Sequence, residues 1–385
     1  MKIPPARENP DLKKFILRRI RDKGRITFSE FMELCLYHPV HGYYQTKGQK
    51  IGKDGDYYTS PCVHPVFGRL LGRQLMEMDS LLGEEAFWIL EAGAGRGTLA
   101  ADILDSIARE SPRFFERIEY GIVEKSNPFR EEQKDRLASY EDRVHWLDPE
   151  AACAQGLQGC VVANEFFDAF PAHRVVVEDG RLLEIYVTEE EGGFREVFDE
   201  PSTAEIVRYF DQMGVSLAEG QKAEINLQAL GWYDRLARIL SRGFFLTIDY
   251  GYLAEELYDA PRLSGTLLCY YRHTCSDNPY AHIGLQDMTT HVNFTGLIKK
   301  GESLGFRLAG LVPQYRFLLC LGFLEELEKR NEGLTPRQSL VERLTMKHLI
   351  LPEGGMGDTF KVLIQYRGLD RVQLTGLRPL SAVPA

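Results

Sequence analysis

The sequence predicts an α/β fold in which helices cover both faces of a sheet. Short apolar runs at 86–90, 119–123 and 160–163 alternate with stretches of helical periodicity, and this alternation is typical of a parallel sheet. A glycine-rich loop follows the first run, where a ligand of an α/β protein can lie against bare backbone and face a helix N-terminus. With 385 residues, 44% of them hydrophobic, the chain has ample core for one large domain or two.

The segment before this core is mainly helical. Residues 10–36 predict two amphipathic helices, of which the second begins at Thr27 or Ser29, and residues 64–82 predict a third. The intervening residues 37–60 are rich in glycine, tyrosine and histidine and predict no long element.

From residue 86 onward the predicted elements follow in order. They are strand 86–90, helix 98–109, strand 119–123, helix 128–139, a short strand near Val144, strand 160–163, strands 173–177, 182–188 and 194–198, helix 227–240, strand 243–248, helices near 294–304, 316–329 and 336–349, and strand 359–366. The turn sequence Glu178-Asp179-Gly180 marks a hairpin that interrupts the α/β alternation.

These elements predict four parts along the chain. They are an N-terminal helical or cap region (1–83), the first part of the core (84–171), an inserted hairpin and helical cap (172–235) and the second part of the core with a C-terminal strand (236–385). We expect the N-terminal region and the β-rich insertion to pack together as a cap over the core.

Composition limits the classes of partner and the compartment. A net charge of −10 argues against a nucleic-acid partner and would favour a basic substrate, although an acidic surface is also a common source of solubility. Seven cysteines without a C-x-x-C pair predict reduced thiols. We find no signal peptide and no membrane-spanning run, which predicts a cytoplasmic protein without a membrane partner, and the sequence predicts no oligomeric state. His38 and His41 flank a turn-like Pro-Val and are interpreted as structural, so no metal site is predicted.

The glycine loop selects the class of ligand. Glu91 precedes Gly93, Gly95 and Gly97, and Thr98 stands where a dinucleotide fingerprint would have its third glycine. This G-x-G-x-G spacing resembles the first motif of class I S-adenosylmethionine (SAM) methyltransferases. The second strand ends in Glu124, whose carboxylate can accept both ribose hydroxyls, although an acid there also suits NAD. We predict a SAM site formed by Glu91, Gly93, Gly95, Gly97, Thr98, Glu124 and Asn164.

Polar residues at two further strand ends are candidates for the chemistry. Asn164 and Glu165 follow the strand at 160–163, and the carboxyl ends of strands line the ligand crevice of open α/β sheets. We expect both side chains beside the transferred methyl group. Asp168 offers another acid, with helix capping as its structural alternative, while Phe166 and Phe167 are expected to fill core. Asp249 ends the strand at 243–248 and offers a third acid.

The set of motifs resembles the MidA-like family over nearly the whole chain. The segments carrying the resemblance are GDYYTSPCVHPVFGRLLG (55–72), ILEAGAGRGTLAADIL (89–104), VVANEFFDAFPAHR (161–174), FFLTIDYGY (244–252) and GLQDMTTHVNFTGL (284–297). The departures are Ala94 for the family's proline, Phe170 for its leucine and Asn293 for its aspartate. The last change replaces a charge with an amide, which weakens a catalytic role for that position.

The resemblance implies a class I SAM methyltransferase fold and an arginine in a protein as the methyl acceptor, since mitochondrial members of the family are arginine methyltransferases needed to assemble complex I. Glu165 is the first choice for the acid that orients the guanidinium, with Asp168 or Asp249 as the second. Tyr57, Tyr58 and His291 are either walls of the substrate channel or ordinary aromatic packing.

Two alternatives belong to other classes. An NAD-dependent oxidoreductase would explain the glycine loop and Glu124, but the loop spacing is wrong and no His/Lys/Tyr acid–base set follows the strands. A methyltransferase-like binding or assembly protein without turnover would explain the fold, although the intact loop and the Asn164-Glu165 pair favour activity.

Overall fold

The computed structural model describes residues 8–46, 48, 50–52, 55–83, 85–153, 156–329, 334–352 and 355–380. These residues form two compact units. The sheet unit comprises the described parts of Tyr58–Phe166, Trp232–Gly251 and Ile298–Ala385, and the hairpin unit comprises those of Met1–Tyr57, Phe167–Gly231 and Tyr252–Leu297.

The helices are numbered in chain order. They are α1 (Pro10–Lys23), α2 (Phe28–Tyr37), α3 (Ser60–Val63), α4 (Val66–Leu82), α5 (Thr98–Glu110), α6 (Pro112–Phe115), α7 (Asn127–Arg136), α8 (Pro149–Cys153), α9 (Ala204–Met213), α10 (Leu227–Ile239), α11 (Ala254–Leu257), α12 (Phe294–Ser303), α13 (Gln314–Cys320), α14 (Phe323–Lys329) and α15 (Pro336–His348). Short 3₁₀ segments cover Tyr43–Gln45, Ala138–Tyr140 and Thr375–Leu377.

The strands are numbered in the same way. They are β1 (Ile26–Thr27), β2 (Phe87–Ala92), β3 (Ile118–Val123), β4 (Val144–Trp146), β5 (Leu157–Asn164), β6 (His173–Glu178), β7 (Arg181–Glu190), β8 (Gly193–Asp199), β9 (Lys222–Ile225), β10 (Leu240–Tyr252), β11 (Leu268–Tyr271), β12 (Thr274–Ser276), β13 (Asp287–Thr289), β14 (Val292–Asn293), β15 (Arg307–Pro313) and β16 (Phe360–Arg367).

The sheet unit is built on a mixed sheet with the strand order β15-β16-β10-β5-β2-β3-β4. The strands from β10 to β4 pair in parallel, as predicted. β16 pairs antiparallel with both of its neighbours, so the expectation of a purely parallel sheet is corrected. An apolar run carries no information about the direction of its strand, and antiparallel edge additions to parallel sheets are common. The predicted α/β class is confirmed.

The core of the sheet unit lies between the strands and the helices that follow them. Its largest buried side chains include Phe67 on α4, Phe87 on β2, Tyr120 on β3 and Phe244 on β10. Leu99, Ile103 and Ile107 recur at helical spacing on α5 and are fully or almost fully buried, which explains why α5 forms and which face it buries.

The hairpin unit contains two antiparallel sheets. One has the path β1-β7-β6-β9 with β8 paired to β7, and the other has the order β12-β11-β13. The Thr27 hydroxyl accepts a hydrogen bond from the Glu30 backbone N–H at 3.1 Å, which confirms Thr27 as the N-cap of α2. Because β1 pairs with β7, the N-terminal segment packs on the inserted hairpin, as expected.

One predicted helix is divided in the structure. The helix expected near 316–329 is two helices, α13 and α14, separated around Gly322. This glycine has φ +97°, a left-handed conformation that an α-helix cannot continue through, and glycine adopts it at little cost. The hydrophobic periodicity alone carries no sign of this break.

The compact units follow different boundaries from the predicted parts. Residues 58–83 lie in the sheet unit instead of with the N-terminal helices, and residues 252–297 lie in the hairpin unit instead of the second part of the core. The predicted four-part division itself stays a prediction. No helix in the described part of the chain combines the length and apolarity needed to cross a membrane.

Candidate active site

The ends of four strands meet at one edge of the sheet unit. The pairing register sets Ala92 on β2 beside Val123 on β3 and Ala163 on β5, and it sets Asn164 beside Ile248 on β10. The residues that follow these strands are therefore neighbours. They include the glycine loop, Glu124, Glu165 and Asp249, as expected for the ligand edge of an open α/β sheet.

The glycine loop is a left-handed turn that only glycines form easily. Gly93, Gly95 and Gly97 have φ values of +67°, +51° and +73°. A Cβ on Gly93 would lie 2.6 Å from Cδ2 of Phe166, so this position also excludes a side chain by contact. The loop exposes backbone at the N-terminus of α5, which begins at Thr98.

Glu124 is held in place by a buried glutamine. Its carboxylate accepts the Ser126 backbone N–H at 2.7 Å and the Gln133 Nε2 at 3.3 Å. Gln133, on α7, is fully buried and also donates to the Gly95 carbonyl at 2.8 Å, while its Oε1 accepts Trp146 Nε1 at 2.9 Å. One side chain therefore links the glycine loop to Glu124. Burial raises the pKa of Glu124.

Glu91 is buried beneath the loop. Only 3% of it is exposed, and Oε2 accepts the Tyr120 hydroxyl at 2.7 Å. Burial raises the pKa of Glu91, the Tyr120 hydrogen bond lowers it and the charge of Glu124 raises it, and the net result is a pKa of about 7.

Asn164 and Glu165 lie next to each other at the end of β5, and the backbone of Glu165 is strained. Glu165 has φ +49°, an uncommon conformation for a residue with a side chain and a frequent feature of functional sites. Its Oε1 accepts the Ser60 backbone N–H at 2.8 Å and the Asn164 Nδ2 at 3.2 Å. Because the amide nitrogen faces this carboxylate, the Asn164 Oδ1 faces elsewhere, and no described residue donates to it although it is buried.

Asp249 is fully buried and stabilises the turn beside Glu165. Its Oδ2 accepts the Phe166 backbone N–H at 3.2 Å and its Oδ1 accepts that of Tyr250 at 3.0 Å. The structure thus brings two of the three predicted acids, Glu165 and Asp249, together in the sheet unit.

Asp168 belongs to the hairpin unit. It lies in the turn between β5 and β6, so the helix-capping alternative is wrong. Its side chain is buried, and its carbonyl accepts the Thr290 backbone N–H at 2.9 Å.

The residues weighed as channel walls have different surroundings. In the hairpin unit, the ring of Tyr57 lies 6.4 Å from that of Tyr270, and the ring of His291 lies 5.4 Å from that of Tyr252. Burial, with Arg262 nearby, lowers the pKa of His291 to about 4, so this imidazole is neutral at pH 7. Tyr58, in the sheet unit, is exposed.

Asn293 has a structural role. Its Oδ1 accepts the Gly296 backbone N–H at 3.2 Å at the start of α12, and its Nδ2 donates to the Tyr209 hydroxyl at 2.7 Å. An amide serves both contacts, whereas an aspartate could not donate to Tyr209.

The ligand edge of the sheet unit offers hydrogen-bond acceptors that suit a nucleoside. Glu124 supplies two carboxylate oxygens at the end of β3, where a ribose would be bound. The loop backbone is left-handed at three glycines, and the buried Asn164 Oδ1 requires a donor.

A family comparison agrees with this site. Residues 70–312 match the model of a family described as "Putative S-adenosyl-L-methionine-dependent methyltransferase". The chain belongs to this family. The cofactor prediction, SAM, is thereby confirmed, and the reaction class is methyl transfer.

Relatives of known name and structure cover almost the whole chain. A COG1565 superfamily protein from Burkholderia thailandensis, solved with bound S-adenosyl-homocysteine, is 31% identical with a TM-score of 0.86, and the match covers 98% of this chain and 97% of that one. The Drosophila melanogaster "Protein arginine methyltransferase NDUFAF7 homolog, mitochondrial" is 26% identical over 96% of this chain and 90% of its own length. The human "Protein arginine methyltransferase NDUFAF7, mitochondrial" is also 26% identical, over 92% and 83%.

Sequence reasoning missed two residues that hold the site together. Gln133 occupies a buried position of α7, four residues after the buried Phe129, and a polar residue on the apolar face of a helix was the available signal. Ser60 contacts Glu165 through its backbone N–H, a contact that residue type does not encode.

Proposed function

We propose that this protein transfers methyl groups from SAM to the guanidinium of an arginine in a protein substrate. The curated relatives support this proposal, because those from Drosophila and human are named as protein arginine methyltransferases and align with more than nine-tenths of the chain. The carboxylates of Glu165 and Asp249 at the strand ends also support it, because carboxylates bind a charged guanidinium.

The acceptor sets the demands on the protein. An arginine guanidinium has a pKa above 12 and arrives charged, which makes it a poor nucleophile. Carboxylates that bind two of its N–H groups orient the remaining nitrogen and accept the departing proton. When bound, SAM supplies a methyl group already activated by the sulfonium, so the protein's task is alignment and exclusion of water.

The observation that carries the proposal is the geometry of Glu165. A left-handed backbone and the two donors on Oε1 fix this carboxylate at the strand edge. We assign Glu165 the orientation of the guanidinium and the acceptance of its proton. Asp249, which binds two backbone N–H groups, positions the turn. Asp168, the other acid predicted from the sequence, belongs to the hairpin unit.

The remaining predicted residues bind the cofactor in this proposal. Glu124 would accept the ribose hydroxyls, and Gly93, Gly95 and Gly97 would leave room for the methionine end. Asn164 Oδ1 would accept an N–H donor, and Thr98 begins the helix whose positive end faces the loop. Glu91 is buried in β2, two residues before the glycine loop, and would act on the cofactor site from that position.

The test is methyl transfer from tritiated SAM to lysate proteins. We expect label in arginine-containing acceptors with the wild-type protein, at least a hundredfold less with Glu165→Gln, and none above background with Gly95→Val. Glu119→Gln, which removes a partly exposed carboxylate from the same unit, serves as the control and should retain activity.

Two outcomes would count against the proposal. Equal label with the wild type and Gly95→Val would show that this site does not catalyse transfer. Tight binding of SAM without an acceptor in any fraction would favour the assembly protein without turnover.

A further inference from the structure

Helix α15 of the sheet unit exposes a row of apolar side chains. Leu340, Val341 and Leu344 are 57%, 57% and 60% exposed. Residues four apart lie on the same face of a helix, so Leu340 and Leu344, with Val341 beside them, form one continuous surface, the α15 stripe. Single exposed apolar side chains are ordinary, whereas a contiguous apolar surface is typical of a site that a partner covers.

The opposite face of α15 is fixed to the sheet unit. Met346 and Leu349 are fully buried on this side. Glu342 Oε2 lies 2.8 Å from Nε2 of the buried His64, whose Nδ1 accepts the Val66 backbone N–H at 3.0 Å. Because Nδ1 is the acceptor, Nε2 is the donor to Glu342. The α15 stripe is therefore exposed by a helix whose other side is already packed.

The exposed charges around the α15 stripe are all positive. Arg337 and Lys347 extend it at its two ends, Arg343 borders its side, and all three are exposed. Glu342 is the one acid in the α15 sequence, and it contacts His64 instead. A cation in the first turn opposes the helix dipole, so the stability of α15 does not explain Arg337. In a chain with a net charge of −10, this surface complements an acidic partner.

These features favour a protein partner over a second copy or a membrane. Two antiparallel copies of α15 would bring Arg337 of one towards Lys347 of the other, and like charges oppose such an interface. The α15 sequence has no Trp, Tyr or Phe, the residues that anchor helices at a membrane surface. An amphipathic protein segment with acidic flanks complements both the apolar side chains and the charges.

A buried hydrogen-bond chain joins α15 to Glu165 within the sheet unit. The Glu165 carboxylate accepts the Ser60 backbone N–H at 2.8 Å, and the Ser60 hydroxyl donates to Gln314 Oε1 at 3.3 Å. Gln314 Nε2 donates in turn to the Leu349 carbonyl, directly after α15, at 3.0 Å. Ser60 and Gln314 are fully buried. A partner bound to α15 would therefore be held on the same packed framework as Glu165.

We infer that the α15 stripe docks an acidic amphipathic helix of the protein that is methylated. The inference rests on the proposed function and names what the enzyme recognises in its acceptor besides the arginine. Apolar side chains of the docked helix cover the stripe, while its Asp and Glu side chains pair with the three basic residues around it. Such docking lowers the KM for the acceptor without taking part in the chemistry.

The inference is tested by calorimetry on the full chain with two peptides of about 18 residues, long enough to form a helix. Both have leucine at helical spacing, and the flanking positions carry glutamate in one and lysine in the other. We expect the glutamate peptide to bind at least tenfold more tightly. Leu344→Gln should weaken its binding about tenfold. Leu81→Gln, at an exposed position of α4 in the same unit, is the matched control and should bind as the wild type does.

A charge reversal tests the specificity separately. The double variant Arg343→Glu, Lys347→Glu should prefer the lysine peptide, whereas Lys134→Glu, on the exposed side of α7, should keep the wild-type preference. Because all these positions are exposed, the melting temperatures should stay close to that of the wild type.

Kinetics with the acceptor that tritiated SAM labels distinguish docking from catalysis. Leu344→Gln should raise the KM for this protein about tenfold and leave kcat and the affinity for S-adenosyl-homocysteine unchanged. A fall in kcat at unchanged KM would contradict docking.

Further results would overturn the inference. They are no binding of the glutamate peptide, equal binding of both peptides, and unchanged binding by Leu344→Gln. A dimer that Leu344→Gln dissociates would assign the stripe to a second copy, and binding to phosphatidylglycerol vesicles that Leu344→Gln abolishes would assign it to a membrane. With any of these, methylation of arginine would still stand. The absence of methylarginine with every acceptor would instead remove the proposed function.

Discussion

Single residues link the cofactor site to the stability of the protein. Gln133 connects Gly95, Glu124 and Trp146, and its amide uses both donor and acceptor. Such a residue positions its neighbours without contacting the cofactor itself, so it should influence affinity more than chemistry.

We therefore predict that Gln133→Leu weakens S-adenosyl-homocysteine binding about tenfold, which corresponds to about 1.4 kcal/mol. The physical reason is that the Gly95 carbonyl and the Glu124 carboxylate both lose a donor. Calorimetric titration measures the change. Lys134→Leu, at the exposed neighbouring position on α7, should bind like the wild type, and an unchanged affinity in Gln133→Leu would refute the role.

Glu91 gives stability a defined dependence on pH. Its pKa in the folded protein, about 7, lies above its ordinary value of 4.5. Between these values the folded protein holds a proton that the unfolded chain has lost, so the free energy of unfolding falls as pH rises and levels off above pH 7.

The expected result is that Glu91→Gln, which cannot titrate, gains about 2–3 kcal/mol relative to the wild type between pH 5 and pH 8. Urea unfolding at both pH values measures this difference. Parallel pH profiles for the two proteins would show that Glu91 keeps an ordinary pKa.

At the scale of elements, the strand–loop–helix unit β2–α5 could be predicted from the sequence. The long-range contacts that hold it in place could not. The apolar run, the alternate glycines and the helical spacing identify all three parts locally. The contact of Gly93 with Phe166 joins residues 73 positions apart, and such contacts depend on packing that no local pattern encodes. The reversed direction of β16 was missed for the same reason. The break at Gly322 is local, and it was missed because hydrophobic periodicity alone does not show it.

The Gly93 contact predicts a specific loss. Gly93→Ala combines an unfavourable φ with a Cβ 2.6 Å from the Phe166 ring, so it should displace the loop and weaken S-adenosyl-homocysteine binding at least tenfold. Gly180→Ala is the matched control, since Gly180 has a similar φ of +70° but open space around its Cα. It should cost about 1 kcal/mol of stability and no affinity. Equal effects of the two substitutions on binding would exclude the contact.

At the scale of the whole molecule, the candidate residues divide between the two units. The glycine loop, Glu124 and Glu165 belong to the sheet unit, whereas Asp168 belongs to the hairpin unit. The first group could be proposed from the sequence because strand ends are visible in it, and its role in binding stays a prediction.

This division predicts that variants in the sheet unit change the affinity for the cofactor and that variants in the hairpin unit do not. Asp168→Asn should leave the affinity for S-adenosyl-homocysteine unchanged, because Asp168 lies outside the unit that holds the glycine loop. Calorimetric titration measures this affinity. A loss of cofactor affinity would place Asp168 in the cofactor site instead.

The central claim, arginine methylation by this chain, is tested most directly by mass spectrometry of the source proteome with and without the protein. We predict that at least one methylarginine disappears without the protein, returns with the wild type and does not return with Glu165→Gln. An unchanged set of methylarginines, or loss of methyl groups only from another residue type, would contradict the claim.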